Sequence, residues 1–293
     1  MINRKKDYPS LGIDIGGTKI ASALDLNGAL YEKIVLKTPA QASQEEILEA
    51  LVAHINKYRG HHFREIGIGI PGLVDTAQGI VYNLANIPSF QEVNIKSYLE
   101  NVFDVPVFIN NDANCFVLAE HQHAAQYQHL VGITLGTGIG TGIIANSKLY
   151  GGHICGAGEW GAVSYLDKTY EEYCSGKFFL TKTGESSKRI YKNALNKEPL
   201  ALDLFREYGQ HLGNMINQIM FILAPEAIVL GGSISKAYPL FEESLMQAIS
   251  TFPYKSIREN LSIYVSTLED SAIHGAIALT QEMATIQPQG NES

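Results

Sequence analysis

Short apolar runs and helically spaced apolar residues alternate along this chain. Runs bounded by glycine or polar turns predict strands at 11–15, near 65–70, and at 105–109, 227–230 and 261–266. Helical spacing predicts helices from the capping box of Ser43 and Glu46, from about 113, over 171–182 and 200–223, near 238–250 and from about 270. Alternating strands and helices predict an α/β fold, in which helices cover a sheet. Residues 287–293 are expected to fray.

A pattern of strands and turns occurs twice. Residues 11–30 (LGIDIGGTKIASALDLNGAL) and 131–150 (VGITLGTGIGTGIIANSKLY) align at an offset of 120 without a gap. Each copy predicts a strand, a tight glycine turn, a second strand and a polar turn into a third. Because helices and strands follow both copies, the pattern predicts an internal duplication. Two unrelated glycine-rich hairpins are the alternative.

Length, composition and charge narrow the class of protein. With 293 residues, 45% of them hydrophobic and 18% charged, the chain is expected to form one or two globular domains. The net charge of -8 argues against binding to nucleic acid or an anionic membrane. Uncharged apolar runs of about 18 residues are absent, so no membrane span is expected.

The cysteines and the basic start exclude two further classes. The three cysteines show neither C-x-x-C nor a metal-ligand spacing, so the sequence indicates neither a disulfide framework nor zinc. Residues 4–6 are basic, but the apolar stretch that follows contains Asp14 and Lys19. The sequence therefore predicts no export signal, and a cytoplasmic protein is expected.

Each copy of the repeat has a glycine turn suited to an anion. In 14–19 (DIGGTK), two glycines allow the backbone to approach a phosphate, and Asp14 offers a carboxylate to a metal. The turn in 136–140 (GTGIG) has the same amides without the acid. Two such turns could bind one polyphosphate from both sides of a cleft, although each alone is also typical of a plain hairpin.

Two other nucleotide-binding patterns are not supported. Residues 67–72 (GIGIPG) fit G-x-G-x-x-G, and Glu92 lies at about the expected separation. However, Pro71 and the polar loop after Gly72 begin no helix, so the helix N-terminus that would bind a pyrophosphate is missing. The pattern G-x-x-x-x-G-K-[ST] does not occur in the sequence.

Acidic residues supply the candidate chemistry. Asp112 lies where a predicted strand meets a predicted helix, and its simplest interpretation is a helix N-cap. A carboxylate there is expected to stay ionised, as phosphoryl transfer requires of the group that orients the attacking hydroxyl, so both roles can hold. Glu159 and Glu171 stand in segments of the kind that bind sugar hydroxyls, although surface glutamates are common.

Together these segments resemble the ROK family of bacterial sugar kinases and repressors, which has a two-lobed actin-like ATPase (ribonuclease H-like) fold. The similarity runs from about residue 11 to 284, through LGIDIGGTKI, GIGIPG, NNDAN, ITLGTGIGTG, GAGE and IVLGG in that order. It implies an internal duplication, a cleft between lobes, a small lobe of residues 1–112 plus about 270–293, and a large lobe of 113–269.

The resemblance also implies an activity. It is transfer of the γ-phosphoryl of ATP, with Mg²⁺, to a hydroxyl, C6 being expected, of a free hexose or N-acetylhexosamine such as glucose, N-acetylglucosamine or N-acetylmannosamine. A kinase for fructose or another polyol, and a sugar sensor without turnover, are alternatives. A homodimer is possible, because dimers are frequent in such families.

Residue roles follow from the resemblance alone. It implies that Asp112 is the catalytic base and that Asp14 holds Mg²⁺ through water. The residues implied around ATP are Gly16, Gly17, Thr18, Lys19, Thr137 and Gly138 at the phosphates, with Gly231 and Gly232 beside the adenosine. The residues implied at the sugar are Gly72, Asn86, Asn111, Asp112, Glu159 and Glu171.

The chain departs from the family pattern in one region. The family usually has a histidine ending G-E-x-G-H, then a cysteine-rich zinc loop before the sugar-contacting glutamate. Here Ala162 takes the histidine position and VSYLDKTY replaces the loop, with only EEYCSG retained. Ligand and loop are absent together, so no zinc is expected, and the histidine's sugar contact has no counterpart.

Family repressors carry an N-terminal helix-turn-helix domain. Only ten residues precede Leu11 here, so DNA binding is not expected.

Overall fold

A computed structural model describes residues 8–284, with the side chains of 282–284 excepted. The basic residues 4–6 and the predicted fraying of 287–293 lie outside the described residues. The strands, in chain order, are β1 (Ser10–Ile15), β2 (Lys19–Leu26), β3 (Ala29–Lys37), β4 (Ile66–Ile70), β5 (Leu73–Asp75), β6 (Ile80–Tyr82), β7 (Glu92–Asn94), β8 (Val107–Asn111), β9 (Leu130–Leu135), β10 (Ile139–Ala145), β11 (Lys148–Leu149), β12 (Ser164–Tyr165), β13 (Lys168–Thr169), β14 (Ala227–Gly231) and β15 (Ser262–Val265). The α-helices are α1 (Gln44–Ile55), α2 (Ile95–Phe103), α3 (Asp112–His123), α4 (Tyr170–Cys174), α5 (Gly176–Thr183), α6 (Ser187–Leu195), α7 (Pro199–Leu223), α8 (Tyr238–Ile249), α9 (Lys255–Asn260) and α10 (Ser271–Ala284).

Most predicted elements are confirmed, and one is wrong. The helix predicted over 171–182 is two helices, α4 and α5, because Ser175 has an extended backbone between them. The Ser175 hydroxyl accepts a hydrogen bond from the Lys177 amide at 3.1 Å and so caps α5. The α1 capping box of Ser43 and Glu46 is confirmed. The short strands β5 to β7 and the helices α2, α6 and α9 were not predicted.

The described chain divides into two compact units. The first contains residues 8–119, Gly151–Gly156 and 269–284, and the second contains Glu120–Tyr150 and Ala157–Leu268. The lobe boundaries expected from the resemblance stay a prediction.

Each unit is built around a five-stranded sheet of the same topology. The strand order is β3-β2-β1-β4-β8 in the first unit and β11-β10-β9-β14-β15 in the second. In both sheets the first three strands form an antiparallel meander, and the last two add in parallel beside the meander's first strand. The same connections in the same order are what a duplication produces, so the predicted internal duplication is confirmed.

The predicted alignment without a gap is wrong by one residue. Ile15 pairs with Ile20 across the first glycine turn, whereas Leu135 pairs with Ile139 across the second. The second turn is therefore one residue shorter, and the offset between the copies falls from 120 in the first strand to 119 in the second. Asn27 and Asn146 both begin two-residue turns with positive φ, typical of type I′ hairpins.

A close helix contact closes one face of the first sheet. A Cβ added to Gly67 on β4 would lie 1.8 Å from the carbonyl oxygen of Ala276, so the α10 backbone approaches this strand as only glycine allows. The buried side chains of this unit are mainly aliphatic, such as Ile13 and Ile68.

The second unit has an aromatic core. Tyr208 on α7 lies 5.3 Å from the ring of Phe179 and 5.2 Å from that of Phe241. Its hydroxyl donates to the carbonyl oxygen of Cys174 at 2.8 Å, which ties α7 to the end of α4. Among the helices described, none has the length and apolar character needed to cross a membrane.

Candidate active site

The first glycine turn, residues 16–19, closes on itself and is braced from outside. The Gly16 amide donates to the Lys19 carbonyl at 2.9 Å. The Thr38 hydroxyl donates to the Gly16 carbonyl at 2.6 Å, and the Thr38 amide donates to the Thr18 carbonyl at 3.1 Å. Thr38 is only 3% exposed. Sequence reasoning missed this brace, because Thr38 comes two strands later and belongs to no motif.

Gly17 brings two predicted ligand regions together. A Cβ at Gly17 would lie 2.4 Å from the Cβ of Asn86, so this position has no space for a side chain. Asn86, predicted to contact sugar, therefore lies directly against the turn predicted to bind phosphate. The side chains of Thr18 and Lys19 are exposed beside it.

Asp14 lies at the carboxyl-terminal edge of the first sheet. In the parallel strands, Asp14 pairs with Gly69 and Gly69 pairs with Asn110, so the ends of β1, β4 and β8 meet at this edge. Burial and, to a smaller extent, the negative charge of Asp112 together raise the pKa of Asp14 to about 6, against the opposing positive charge of Lys19. Two carboxylates therefore act on each other here.

The helix cap differs from the prediction. The Asn111 side-chain oxygen accepts from the Ala113 amide at 2.9 Å and the Asn114 amide at 3.4 Å, so Asn111 rather than Asp112 caps α3. Asp112 is the first residue of the helix, and its carboxylate accepts from the Ala113 amide at 2.9 Å and from its own backbone amide. The helix therefore does not depend on this carboxylate for its N-cap.

The pKa of Asp112 also differs from what its position at a helix N-terminus suggested. Burial raises its pKa, and the hydrogen bond from the Ala113 amide lowers it by less. A helix N-terminus stabilises the anion by about 0.3–1 kcal/mol. The free-energy cost of removing the carboxylate from water can be larger than this. Asp112 is consequently a stronger base than an exposed aspartate.

Asparagines hold this edge of the sheet in place. The side-chain oxygen of Asn110 accepts from the Asn111 amide, the Asn114 side chain and the Cys155 thiol at 2.8, 2.9 and 3.0 Å. The side-chain nitrogen of Asn111 donates to the Gly72 carbonyl at 3.0 Å. Both polar ends of Asn111, predicted to contact sugar, are thus already bonded within the protein.

Gly72 occupies a conformation that favours glycine. Its φ is +88°, and an added Cβ would lie 2.7 Å from Leu84. β4 continues through this glycine into β5 and not into a helix. The prediction that no helix begins after Gly72 is therefore confirmed.

The second glycine turn, residues 136–138, is braced by backbone. The Gly136 amide donates to the Gly138 carbonyl at 3.0 Å, and the Gly176 amide at the start of α5 donates to the Gly136 carbonyl at 2.8 Å. Thr137 is exposed at the tip. A Cβ at Gly138 would lie 2.6 Å from Oε2 of Glu171, so this predicted sugar ligand lies against the turn. The hydrogen bond with Glu171 raises the pKa of Lys177.

Gly231 and Gly232 lie beside the same turn. Gly232 has a φ of +82°, and an added Cβ would lie 2.4 Å from the carbonyl oxygen of Leu135, the residue before the turn. A cavity of about 400 Å³ begins at the next residue, Ser233. Its lining includes Lys188, Tyr191, Phe205, Ile234 and Lys236. An aromatic wall with basic groups, next to a glycine turn, is suited to a nucleoside.

Aromatic contacts occupy the segment that replaces the expected zinc loop. β12 and β13 form a small hairpin, and Tyr165 on it stacks on Tyr170 with ring centres 4.2 Å apart. The Tyr165 hydroxyl bonds His211 and Asn214, each at 3.0 Å. Within residues 8–284, no group of three or more His, Cys, Asp or Glu could hold a metal ion. The absence of zinc stays a prediction.

Glu159 and Ala162 come just before this hairpin in the chain. Both are exposed, and the Ala162 amide donates to the Glu159 carbonyl at 3.1 Å across a single 3-10 turn.

The predicted site residues fall into two groups. The first unit contains Asp14, Gly16, Gly17, Thr18, Lys19, Gly72, Asn86, Asn111 and Asp112. The second unit contains Thr137, Gly138, Glu159, Glu171, Gly231 and Gly232.

The duplicated sheet and its glycine turns define an α/β protein of the actin-like ATPase fold. The sequence profile of the ROK family matches residues 10–283, and the chain belongs to that family. The crystal structure of a ROK family glucokinase from Streptomyces griseus in complex with glucose and AMPPNP superimposes with a TM-score of 0.78 at 26% identity, over 93% of this chain and 99% of that one.

Two relatives show the functional range of similar chains. N-acetylgalactosamine kinase AgaK of Shewanella sp. (strain ANA-3) is 32% identical over 77% of this chain and 82% of its own length. The xylose repressor of Bacillus spizizenii is 28% identical over 93% of this chain and 76% of its own length. Because both a kinase and a repressor are similar, the choice between catalysis and sensing depends on the site.

Proposed function

We propose that this chain is an ATP-dependent sugar kinase, which transfers the γ-phosphoryl of ATP to a hydroxyl of a free hexose or N-acetylhexosamine. The observation that carries the proposal is the placement of two acids at one edge of the first sheet beside a glycine turn. Asp14 pairs with Gly69, and a Cβ added to Gly69 would lie 3.9 Å from the Cα of Asp112. A protein that only senses sugar has no need of two neighbouring carboxylates there, because their repulsion is unfavourable when both are ionised.

Asp112 is proposed as the catalytic base. Its carboxylate accepts hydrogen bonds from the Ala113 amide and its own backbone amide and has a raised pKa, so a remaining lone pair can accept a bond from a sugar hydroxyl and then its proton. Orientation of that hydroxyl toward the phosphorus is the main contribution expected of the residue, since phosphoryl transfer depends chiefly on positioning and charge stabilisation.

Asp14 is proposed to hold Mg²⁺ through water. A carboxylate whose pKa is raised to about 6, with a second acid nearby, fits a divalent cation, which offsets the repulsion between the two acids. When bound, Mg²⁺ neutralises charge on the phosphoryl oxygens. The exposed Lys19 adds positive charge at the same turn.

Both glycine turns are proposed to bind phosphates of ATP. Gly16, Gly17 and Thr18 offer amides in the first turn, and Thr137 and Gly138 offer them in the second. The contact between Gly232 and Leu135 supports binding of the adenosine in the adjoining 400 Å³ cavity. AMPPNP in the similar Streptomyces griseus glucokinase is consistent with this nucleotide.

The residues proposed to contact the sugar are Gly72, Asn86, Asn111, Asp112, Glu159 and Glu171. Asn111 bonds the Gly72 carbonyl, and Asn86 lies against the first glycine turn. Carboxylates accept hydrogen bonds from hydroxyls strongly. The similar glucokinase and N-acetylgalactosamine kinase support a hexose or its N-acetylamino derivative, with C6 as the proposed acceptor.

A sensor without turnover is the second candidate, because the xylose repressor of Bacillus spizizenii is similar over most of this chain. The two candidates differ in one measurable property. A kinase forms ADP only when sugar is present, whereas a sensor binds sugar equally with and without ATP and forms no ADP.

The test is an assay of ADP release with ATP, Mg²⁺ and a panel of glucose, N-acetylglucosamine, N-acetylmannosamine, N-acetylgalactosamine and fructose. We expect sugar-dependent ADP release, with the phosphorylated position identified by NMR of the product. Turnover of fructose alone would favour the fructokinase alternative. Sugar binding with no ADP from any member of the panel would overturn the kinase proposal.

The protein is also proposed to act without zinc. Elemental analysis of the purified protein tests this point, because a structural zinc would be present at one ion per chain. A ratio near zero is expected, and stoichiometric zinc would contradict the interpretation of the segment around Ala162.

A further inference from the structure

Glu171 in the second unit is held at both carboxylate oxygens. Its Oε1 accepts from the Lys177 ammonium at 2.7 Å, and its Oε2 accepts from the Ile139 amide at 3.2 Å. Ile139 directly follows the glycine turn of residues 136–138. The carboxylate is therefore fixed between a side-chain cation and the backbone that leaves the turn.

The space around Glu171 leaves it few other positions. Oε2 lies 2.6 Å from where a Cβ of Gly138 would be, and the Cβ of Glu171 lies 3.6 Å from where that of Gly161 would be. Glycine at position 138 is what lets the side chain approach the turn, whereas a Cβ at position 161 would make an ordinary van der Waals contact. The direction of its carboxylate is then decided by Lys177, because the Ile139 bond alone leaves rotation about the last side-chain torsion free.

Lys177 is itself held by the start of α5. Its amide donates to the Ser175 hydroxyl at 3.1 Å, and the preceding residue, Gly176, donates its amide to the Gly136 carbonyl at 2.8 Å. The base of the lysine side chain is thus attached to the same turn that Glu171 touches. Its ammonium also lies 3.3 Å from Glu172, so it bridges two carboxylates.

The bonding of Glu171 leaves acceptor capacity for a ligand. An ionised carboxylate has about four lone-pair sites, of which Lys177 and Ile139 use two. The remaining sites can only accept hydrogen bonds, as from the hydroxyls of a sugar, because an ionised carboxylate cannot donate. Its side chain is 31% exposed, so these sites can be reached from solvent.

We propose that Lys177 is the positioning residue for Glu171, orienting its carboxylate so that the free lone pairs accept hydrogen bonds from sugar hydroxyls. The inference rests on the proposed function in one respect, that Glu171 contacts the sugar. It adds a residue that no motif of the chain singled out, beside the segment where the expected histidine is Ala162.

The test compares Lys177→Met with a matched control on the same helix. Met keeps the unbranched stem and removes the charge. Lys182→Met is the control, because Lys182 makes an ion pair of the same 2.7 Å length, with Glu207, and its side chain is 44% exposed against 40% for Lys177. Lys177→Arg restores a cation at the tested position.

We expect Lys177→Met to raise the KM for sugar about tenfold, as loss of a partly exposed charged hydrogen bond would. The kcat and the KM for ATP should change by less than about threefold, because the Ile139 bond and the turn are kept. Lys177→Arg should recover most of the loss, and Lys182→Met should match the wild type. Equal rises in the two Met variants would reveal a general effect on α5 and overturn the proposal.

Failure of this inference can be told from failure of the proposed function. If the wild type is an active kinase but the sugar KM of Lys177→Met stays within twofold, only the inference is overturned. If the wild type binds sugar without turnover, the kinase proposal fails, and sugar dissociation constants from calorimetry test Lys177 with the same expected tenfold change. If the wild type binds no sugar of the panel, both are overturned.

Discussion

The two copies of the glycine turn share a backbone and differ in what holds it. The Gly16 carbonyl accepts from the Thr38 hydroxyl at 2.6 Å, whereas its equivalent, Gly136, accepts from the Gly176 amide at 2.8 Å. The first brace can be removed by one side-chain substitution, and the second cannot. Duplication has thus kept the turn while its support diverged.

The acidic group also differs between the copies. Asp14 is equivalent to Thr134, whose hydroxyl accepts from the Gly140 amide at 3.1 Å and serves the hairpin. The carboxylate of the second turn comes from Glu171 on a helix instead. The first copy therefore carries an acid suited to a cation, and the second carries one already paired with Lys177.

A third difference lies in the strands behind the turns. Ser22 and Thr141 each pair with the equivalent isoleucine, Ile13 or Ile133. The Ser22 hydroxyl bonds the ring of His54 at 2.6 Å and the Tyr58 hydroxyl at 2.8 Å. The Thr141 hydroxyl is buried and has no hydrogen-bond partner among residues 8–284. A titratable ring is therefore bonded to the hydroxyl of the first copy, and the part of the chain that the structure describes gives the Thr141 hydroxyl no such partner.

The largest expected effect is an acid sensitivity set by His54. Burial, helped by Lys57, lowers its pKa from 6.5 to about 4, and its Nδ1 finds no partner among the described residues. Protonation then favours the unfolded chain. The contribution is complete above pH 6.5 and is lost as the pH falls toward 4, at about 1.4 kcal/mol per unit and about 3 kcal/mol in all.

Urea unfolding followed across this pH range measures the loss. His54→Gln should flatten the dependence of the unfolding free energy on pH, and the exposed His61→Gln should leave it unchanged. An identical slope in His54→Gln and the wild type would remove this difference between the copies.

The next effect concerns the acid of the first turn. Asp14→Asn should lower kcat/KM for ATP about 10²-fold, as loss of a group that holds a metal through water does. Added Mg²⁺ should recover part of the activity. Thr134→Ser, the conservative change at the equivalent position, should stay within about threefold of wild type. Comparable losses in the two variants would show that the acid is not what separates the copies.

Removal of the first brace comes third. Thr38→Val keeps the shape and leaves the Gly16 carbonyl without its donor, which should cost about 2 kcal/mol of unfolding free energy. Thr38→Ser keeps the hydroxyl and should lose less than half of that. Denaturant unfolding of the two variants decides, and an unchanged unfolding free energy in Thr38→Val would mean that the hydrogen bond does not stabilise the turn.

The smallest effect is expected at the tip of the second turn. A Cβ at Gly136 meets nothing within 4 Å, so Gly136→Ala should fold as well as wild type. A methyl group there should still obstruct phosphate binding and raise the KM for ATP about tenfold. Gly60→Ala, at another position with open space, is the control. An unchanged KM for ATP in Gly136→Ala would argue against phosphate at this turn.

Local signals in the sequence predicted a large part of the fold. The strand pattern and the duplication were readable because each glycine turn lies between alternating apolar runs, and α1 because Ser43 and Glu46 form a capping box. Elements of only three residues, such as the strands β5 to β7, are too short to carry a comparable periodic signal.

The candidate site was less accessible to sequence reasoning. Asn111 caps the helix in place of the predicted Asp112 because its side chain turns toward the helix amides. The order of two adjacent polar residues does not reveal which side chain will do so. The one-residue difference in length between the two glycine turns could be recognised only from the register of the paired strands. Thr38 and Lys177 act through contacts that only the folded chain creates.

The most direct measurement of the central claim is single-turnover phosphoryl transfer by Asp112→Asn, with sugar affinity measured on the same protein. Asn keeps the size of the side chain and cannot take a proton, so transfer should slow about 10²-fold or more while sugar affinity stays nearly the same. Asp104→Asn is the control, because Asp104 ends α2 in a left-handed conformation that asparagine also adopts. Transfer at the wild-type rate by Asp112→Asn would contradict the account.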